Sequence, residues 1–194
     1  MNIQQSLISD IFKDISFSKK EMSQIENKFE KRTLKKGDTL LNANQTVNYQ
    51  YFIISGCLRT FFVDNSGKDH IIQFAIKDWW ISDYTAFFTS SKAIMTIDCI
   101  QDASVYGISI ENMENLYIEI PRSQTFFRKK MEGAFAGFQK RIIGNLSQSA
   151  KEKYISFIST YPNIEQSVKN YHIASYLGVT TETLSRVRKE IIQK

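Results

Sequence analysis

The sequence predicts an α+β protein with an N-terminal antiparallel β barrel or jelly roll, a long helix and a C-terminal helix-turn-helix. Three observations carry this prediction. Short strand-like segments separated by turn residues recur at regular spacing over residues 33–110. An apolar pattern of helical spacing then runs through residues 122–146. Residues 170–191 finally form two short helical patterns on either side of Gly178.

The N-terminal residues 3–30 are predicted to be helical. Apolar residues recur at helical spacing over residues 3–12. Ser18 followed by Glu21 is the signature of a capping box, in which each residue satisfies a backbone amide at the helix start. We expect the helix that it opens to continue to about Phe29.

A set of short strands follows. The predicted strands cover residues 39–41, 49–54, 58–63, 70–76, 93–99 and 104–110. Ser55 and Gly56 are expected to end one strand, and residues 64–67 have the turn composition of a hairpin connection. Several short strands at this regular spacing indicate an antiparallel barrel or jelly roll.

Three helices are predicted between the strands and the helix-turn-helix, over residues 111–118, 122–146 and 149–159, with Pro121 closing the first. The middle helix repeats large side chains at alternating spacings of four and three, which is typical of a seam for a partner helix. The residues of that seam are Phe127, Met131, Ala134, Phe138 and Arg141. Phe126, Phe135, Ile142 and Ile143 widen its apolar surface. The alternative is a helix that packs only on its own barrel.

The helix-turn-helix has the chemistry of a nucleic-acid-binding unit. Gly178 accepts the left-handed backbone of the turn, and Thr180 is the predicted N-cap of the second helix. An apolar stripe of Val179, Leu184, Val187 and Ile191 faces the protein interior. The opposite face carries Thr181, Glu182, Ser185, Arg186 and Lys189. A helix with such a polar, basic face fits a DNA major groove.

The charge distribution favours the same interpretation. The chain carries a net charge of +5, but residues 1–121 hold 12 basic and 15 acidic residues, a net charge of −3. Residues 122–194 hold 13 basic and 5 acidic residues, a net charge of +8. A basic module of this kind attracts the phosphate backbone, although a solvated basic face would give the same count.

Other classes of protein are disfavoured by the composition. The sequence has neither a secretory signal pattern nor an apolar run that could span a bilayer, so a cytoplasmic protein is expected. Cys57 and Cys99 lie apart in apolar contexts and are interpreted as buried thiols. His70 and His172 have no partner at metal-ligand spacing, so no metal and no catalytic residue are predicted. A jelly-roll enzyme such as a cupin is disfavoured for the same reason.

The order of barrel, long helix and helix-turn-helix resembles the CRP/FNR family of bacterial transcription regulators. The motifs that carry the resemblance are Phe17-Ser18 with Glu21, 36–38, 51–56, 64–67 and 174–186. The resemblance implies a cyclic-nucleotide-binding-like sensor domain at 1–121, a dimerisation helix at 122–146 and a DNA-binding domain at 147–194. It also implies a homodimer on double-stranded DNA, and contact with RNA polymerase in many members.

The resemblance assigns roles on the second helix of the helix-turn-helix. Family members often carry Ser/Thr-Arg-Glu-Thr-Val-x-Arg, where this chain has residues 180–186, so Glu182 and Arg186 match the base-reading positions. Thr181 replaces the first arginine of the pattern. The predicted DNA-binding residues are Thr180, Thr181, Glu182, Ser185, Arg186, Arg188 and Lys189, with Ser185, Arg188 and Lys189 on phosphates. The alternative for Glu182 and Arg186 is a surface ion pair that stabilises the helix by about 0.3–0.5 kcal/mol.

The sensor domain departs from the nucleotide-binding pattern. Where that pattern has a glycine–glutamate pair, this chain has Ile81 and Ser82, and its phosphate-binding arginine falls near Ala93 beside Lys92. The candidate pocket residues are Trp80, Ser82, Asp83, Lys92 and Ala93. We expect no cofactor, and either an unidentified small-molecule effector or none. Plain core packing is the alternative for the aromatic residues here.

The resemblance also implies a wing, a hairpin after the second helix. The sequence ends at Lys194 and offers no residues for it, so either the wing is missing or the sequence is truncated. The replaced arginine and the missing wing favour a second hypothesis, a small-molecule-sensing barrel with lost or weakened DNA binding.

Overall fold

The computed structural model describes residues 10–13, 15–162 and 164–192. Its strands are β1 (Phe29–Leu34), β2 (Thr39–Leu41), β3 (Tyr49–Val63), β4 (Asp69–Ala75), β5 (Trp80–Ile81) and β6 (Thr96–Ser109). Its helices are α1 (Lys19–Glu26), α2 (Tyr84–Thr89), α3 (Ile110–Glu119), α4 (Pro121–Ser147), α5 (Ala150–Thr160), α6 (Asn170–Leu177) and α7 (Thr181–Ile192).

The strands form one antiparallel sheet in the described part of the chain. Its order is β1-β6-β3-β4, with β2 beside β6 and β5 beside β3. The two long strands β3 and β6 pair along most of their length, and β4 lies at one edge. The structure therefore confirms the predicted antiparallel sheet followed by helices.

Two hydrophobic cores lie against this sheet. The first contains Ile25, Phe52, Ile53, Ile81, Leu116 and Phe127, and fills the space between the sheet and helices α1, α3 and the start of α4. The second joins the sheet to the C-terminal helices; its members include Phe61 and Phe74 from the sheet, and Tyr154, Phe157, Tyr161, Leu177 and Leu184. Because of the second core, the helix-turn-helix packs directly on the sheet. Cys57 and Cys99 are buried free thiols, as predicted.

Several predicted boundaries were wrong. The capping box of Ser18 and Glu21 is present, but its helix ends at Glu26, because Phe29 begins strand β1. Ser55 and Gly56 do not end a strand: β3 runs through them, with register shifts against β6 on both sides of Ser55. Gly56 has φ +88° there, a backbone conformation that favours glycine and accommodates the bulge.

Other elements differ in extent. The two strands predicted over residues 93–110 are the single strand β6, and β1, β5 and α2 were not predicted. Helix α3 ends at Glu119, ahead of Pro121 as predicted. Pro121 is also the first residue of α4, a position at which proline is favoured because its missing N–H is not needed. The predicted helix over residues 3–12 lies largely outside the described residues.

Candidate nucleic-acid interface and its link to the sheet

The turn of the helix-turn-helix forms as predicted. Helix α6 ends at Leu177, and Gly178 adopts a left-handed conformation with φ +67°. The N–H of Val179 then donates to the carbonyl oxygen of Ala174 at 3.0 Å, which closes the helix end. Thr180 caps α7, since its Oγ1 accepts from the N–H of Thr183 at 3.2 Å.

Helix α7 has a buried face and a polar face. Leu184 and Val187 are buried against α5 and α6. Along the other face, Glu182, Ser185, Arg186 and Lys189 are exposed and Thr181 is half-exposed. The structure therefore brings together on one accessible surface most of the side chains predicted to contact DNA.

Two of these side chains carry unpaired opposite charges. The backbone N–H of Glu182 and the hydroxyls of Thr180 and Thr181 lower the pKa of the Glu182 carboxyl, which keeps it ionised at the positive end of the helix dipole. Among the ion pairs of the described residues none involves Arg186, so the alternative pair with Glu182 is not formed. Both groups are free to accept or donate hydrogen bonds to a partner.

Arg188 does not belong to the exposed polar face of α7. Its Nε donates to the hydroxyl of Tyr154 at 3.1 Å, and its Nη1 donates to Oδ1 of Asn170 at 2.6 Å. Glu165 lies 3.7 Å from Nη2. This guanidinium therefore joins α5, α6 and α7 in the free protein, which corrects the prediction that it is available for a phosphate.

Helix α6 is attached to the edge strand β4, a contact that the sequence did not predict. The Ser175 Oγ accepts from the N–H of Ile71 at 3.2 Å and donates to the carbonyl oxygen of Asp69 at 2.9 Å. From α4, Arg141 donates to the carbonyl oxygen of Ile72. The backbone groups that an edge strand usually leaves unpaired are thus satisfied by side chains of the helical region.

An arginine of the sheet completes this attachment. Arg59 is 8% exposed and donates to both carboxylate oxygens of Asp98 at 2.7 Å each. It also lies 3.3 Å from Asp69 and donates to Nδ1 of His172 on α6 at 2.8 Å. Because a guanidinium only donates, Nδ1 must accept and His172 is neutral. Burial, followed by the Arg59 charge, lowers the pKa of His172 to about 4. The sequence offered one signal for this attachment, an arginine inside the otherwise apolar segment 57–62.

The candidate pocket residues of the sensor domain mostly have structural roles. Asp83 is fully buried, and its carboxylate accepts from the N–H groups of Ala86, Ile94 and Met95 at 2.8–3.1 Å. It thereby ties α2 to the segment before β6. Ser82 is also buried and donates to the carbonyl oxygen of Tyr49.

The remaining three candidates are dispersed. Ala93 is buried and pairs through its backbone with Gln45, whereas Lys92 is exposed and donates to the hydroxyl of Thr46 at 2.8 Å. Trp80 packs on Phe127 with ring centroids 5.3 Å apart. The five residues therefore do not converge on one pocket.

Helix α4 carries an exposed apolar face, but that face differs from the predicted seam. Phe127 is buried against the sheet domain, and Arg141 contacts β4, so both are engaged within the chain. Met131 is half-buried, while Ala134 and Phe138 are exposed. The large apolar side chains that remain exposed are Phe135, Phe138, Ile142, Ile143 and Leu146. Leu146 is 85% exposed, which is unusual for an unpartnered helix.

This arrangement defines a class: an antiparallel sheet domain joined through a long helix to a helix-turn-helix. Residues 31–119 match the family model of the cyclic nucleotide-binding domain. The fumarate and nitrate reduction regulatory protein of Escherichia coli is 23% identical over 201 residues, covering 96% of this chain and 79% of that protein.

Solved structures have the same fold. FixK2 from Bradyrhizobium japonicum superposes with a TM-score of 0.72 at 15% identity, covering 85% of each chain. A putative transcriptional regulator of the CRP/FNR family from Eubacterium rectale gives a TM-score of 0.69 at 18% identity, covering 91% of this chain and 85% of that one.

Residues 31–119 of the chain therefore match the cyclic nucleotide-binding domain, and the chain as a whole is similar in sequence to a regulatory protein and in fold to a regulator of the CRP/FNR family. In the described residues, no helix has the length and apolar character needed to cross a membrane. The same residues contain no cluster of three or more His, Cys, Asp or Glu side chains suited to a metal ion.

Proposed function

We propose that the protein is a homodimeric, sequence-specific DNA-binding transcription regulator that reads its site with helix α7. The observation that carries the proposal is the exposed polar face of α7, on which Glu182 and Arg186 are one turn apart and neither is paired with the other. The net charge of +8 on residues 122–194 supports attraction to the phosphate backbone.

The two charged side chains have distinct tasks in this proposal. The Glu182 carboxylate accepts a hydrogen bond from a cytosine amino group, and Arg186 donates to O6 and N7 of guanine. Ser185 and Lys189 contact phosphates and fix the register of the helix. Thr180 and Thr181 lie at the N-terminus of α7, where their short hydroxyl side chains contact the DNA backbone in this proposal. Arg188 positions α7 through its contacts with α5 and α6.

The exposed apolar face of α4 supports the proposed dimer. A second copy related by two-fold symmetry would cover Phe135, Ile142 and Leu146 on both helices. The two α7 helices would then enter major grooves about 34 Å apart. In this arrangement 1–121 is the sensor domain, 122–146 the dimerisation helix and 147–194 the DNA-binding domain, with RNA polymerase as the further partner that the family resemblance implies.

The sensor domain is proposed not to bind cyclic nucleotides in the usual way. The Asp83 carboxylate is occupied by three backbone N–H groups and is not free to accept from a ligand hydroxyl. Lys92 is exposed and donates to the hydroxyl of Thr46, so it is not placed to neutralise a buried phosphate. A buried phosphate without a paired cation carries a large desolvation cost.

The test is in vitro selection of bound DNA from a random pool. Glu182→Ala and Arg186→Ala should each relax preference at one base pair of the half-site, by about 1–3 kcal/mol. Lys189→Ala should weaken binding to all DNA sequences alike. It should also reduce the slope of log affinity against log salt concentration by about one. Lys151→Ala, on α5, is the control for loss of a positive charge. Unchanged preference in both α7 variants would reject the assignment.

The alternative is a small-molecule-sensing protein with lost or weakened DNA binding. Attachment of α6 to β4 through Ser175 favours this alternative, since it restrains the helix-turn-helix. A salt-dependent gel shift on mixed genomic DNA separates the two: the regulator binds at low salt and its affinity falls steeply with added salt, whereas the alternative gives a weak shift or none at low salt.

A further inference from the structure

One serine of the helix-turn-helix takes the place of a strand residue at the edge of the sheet. Ser175 on α6 is half-buried, and its Oγ accepts from the N–H of Ile71 at 3.2 Å and donates to the carbonyl oxygen of Asp69 at 2.9 Å. A residue of a further antiparallel strand would supply the same donor and acceptor through its backbone. The hydroxyl therefore fixes where α6 lies along β4.

The same edge carries a β-bulge. The pairing of β4 with β3 shifts in register between residues 71 and 73, so Ile72 is an extra residue in the ladder. Its carbonyl oxygen accepts a hydrogen bond from Arg141 of α4. Neighbouring residues of one edge strand thus hold two different helices, α6 and α4.

A second directional contact joins α6 to the sheet. Nδ1 of His172 accepts from Arg59 of β3 at 2.8 Å, and Arg59 is itself held by Asp98 of β6. His172 lies three residues before Ser175, so the two side chains share one side of α6. The apolar contacts of the second core are not directional, whereas hydrogen bonds restrict both distance and angle. These two contacts therefore determine the position of α6 along the sheet.

The covalent link to α4 does not by itself fix the helix-turn-helix. Helix α4 ends at Ser147 and α5 begins at Ala150, and Gln148 between them has an extended backbone conformation. Rotation at this link would swing α5, α6 and α7 together, because the second core joins all three. The start of α4, in contrast, is held on the sheet domain by the buried Phe127. The contacts of α6 with the sheet therefore fix α7 relative to α4.

We propose that Ser175 and His172 are positioning residues that set the distance between the two α7 helices of a dimer, and thereby the spacing of the two half-sites on DNA. The inference rests on the proposed function, since it requires a DNA-reading dimer. Neighbouring base pairs are about 3.4 Å apart, so a shift of each α7 by about 2 Å changes the spacing by one base pair. A shift of that size breaks hydrogen bonds of 2.8–3.2 Å.

The experiment measures spacing preference separately from base preference. The half-site selected by the wild-type chain is placed twice, in inverted orientation, in a DNA pool whose spacers differ by single base pairs. We expect the wild-type chain to prefer one spacing about tenfold over its neighbours, and Ser175→Ala to prefer it about threefold or less, because two hydrogen bonds are lost. Base preference within the half-site should not change. Ser175→Thr retains the hydroxyl and should restore the spacing preference.

A second variant tests the attachment independently of Ser175. His172→Leu removes the acceptor for Arg59 and should also reduce the spacing preference. Ser159→Ala, at an exposed serine of α5, is the matched control and should behave like the wild-type chain. Circular dichroism establishes that each variant is folded. Ser175→Ala and His172→Leu break different contacts, so either folded variant is sufficient for the test.

Three outcomes would overturn the inference. The first is an unchanged spacing preference in the folded Ser175→Ala and His172→Leu variants. The second is tighter binding at an unchanged spacing, which would make the attachment a restraint on DNA binding. The third is a wild-type chain that selects its half-sites at all spacings alike, which rejects this inference and leaves the DNA-reading function standing. A wild-type chain that selects no DNA sequence rejects the proposed function, and this inference with it.

Discussion

Arg59 is the side chain whose removal tests how the helix-turn-helix is held on the sheet. Arg59→Met keeps a long apolar stem over Phe61, whose ring lies 4.2 Å from the guanidinium carbon, and removes only the charge. The Asp98 carboxylate then loses both of its 2.7 Å hydrogen bonds. Nδ1 of His172 on α6 loses its donor as well.

The expected cost follows from burial. Removing one partner of a buried ion pair destabilises by about 3–5 kcal/mol, because the other charge remains buried and unpaired. The Asp98 side chain is 20% exposed, so water compensates part of this loss. We therefore expect Arg59→Met to lower the free energy of unfolding by about 3 kcal/mol.

A second substitution separates the unpaired charge from the lost packing. Asp98→Leu combined with Arg59→Met removes both charges, and the double variant should be more stable than Arg59→Met alone by about 2 kcal/mol. Urea unfolding at neutral pH, followed by circular dichroism, measures all three proteins. A loss below about 1 kcal/mol in Arg59→Met, the range of exposed ion pairs, would refute the reasoning. A double variant less stable than the single one would refute it too.

Two further predictions concern pH and the sheet. Burial lowers the pKa of His172 to about 4 from 6.5, so the unfolded chain takes up a proton before the folded one. Stability should therefore fall by up to about 3 kcal/mol as pH drops from 6.5 to 4, and His172→Asn should remove that part of the slope in urea titrations at several pH values. Gly56→Ala places a Cβ 2.3 Å from the Asp102 carbonyl oxygen at φ +88°, and should cost at least about 3 kcal/mol in thermal unfolding. Gly67→Ala, with similar φ but open space, should cost only about 1 kcal/mol, and an equal loss in both would contradict the steric argument.

Local signals predicted most of the helices. The capping box at Ser18 and the left-handed Gly178 act within one helical turn, so the sequence contains all that they need. The strands were harder to predict from local signals. β1 has three consecutive charged residues between Phe29 and Thr33, a composition that also suits a helix, and only its pairing with β6 makes this segment a strand. Gly56 marked a break in the sequence, yet pairing with β6 carries β3 through it.

The candidate site was likewise predicted only in part from the sequence. The exposed polar face of α7 follows from helical periodicity, and Glu182 and Arg186 are on the face predicted for them. The placement of Arg188 does not follow, because its partners Tyr154 and Asn170 come from two other helices. Phe127 belonged to the predicted seam by spacing, but the sheet domain buries it.

The sequence by itself determined most of the helices, the helix-turn-helix and the distribution of charge, because periodicity, caps and composition act over a few residues. Only the tertiary structure decided the extent of the strands and which side chains of α4 are buried. The attachment of α6 to β4 and the Arg59 contacts join residues up to 113 positions apart. Such contacts depend on the packing of the whole chain, and no local pattern encodes them.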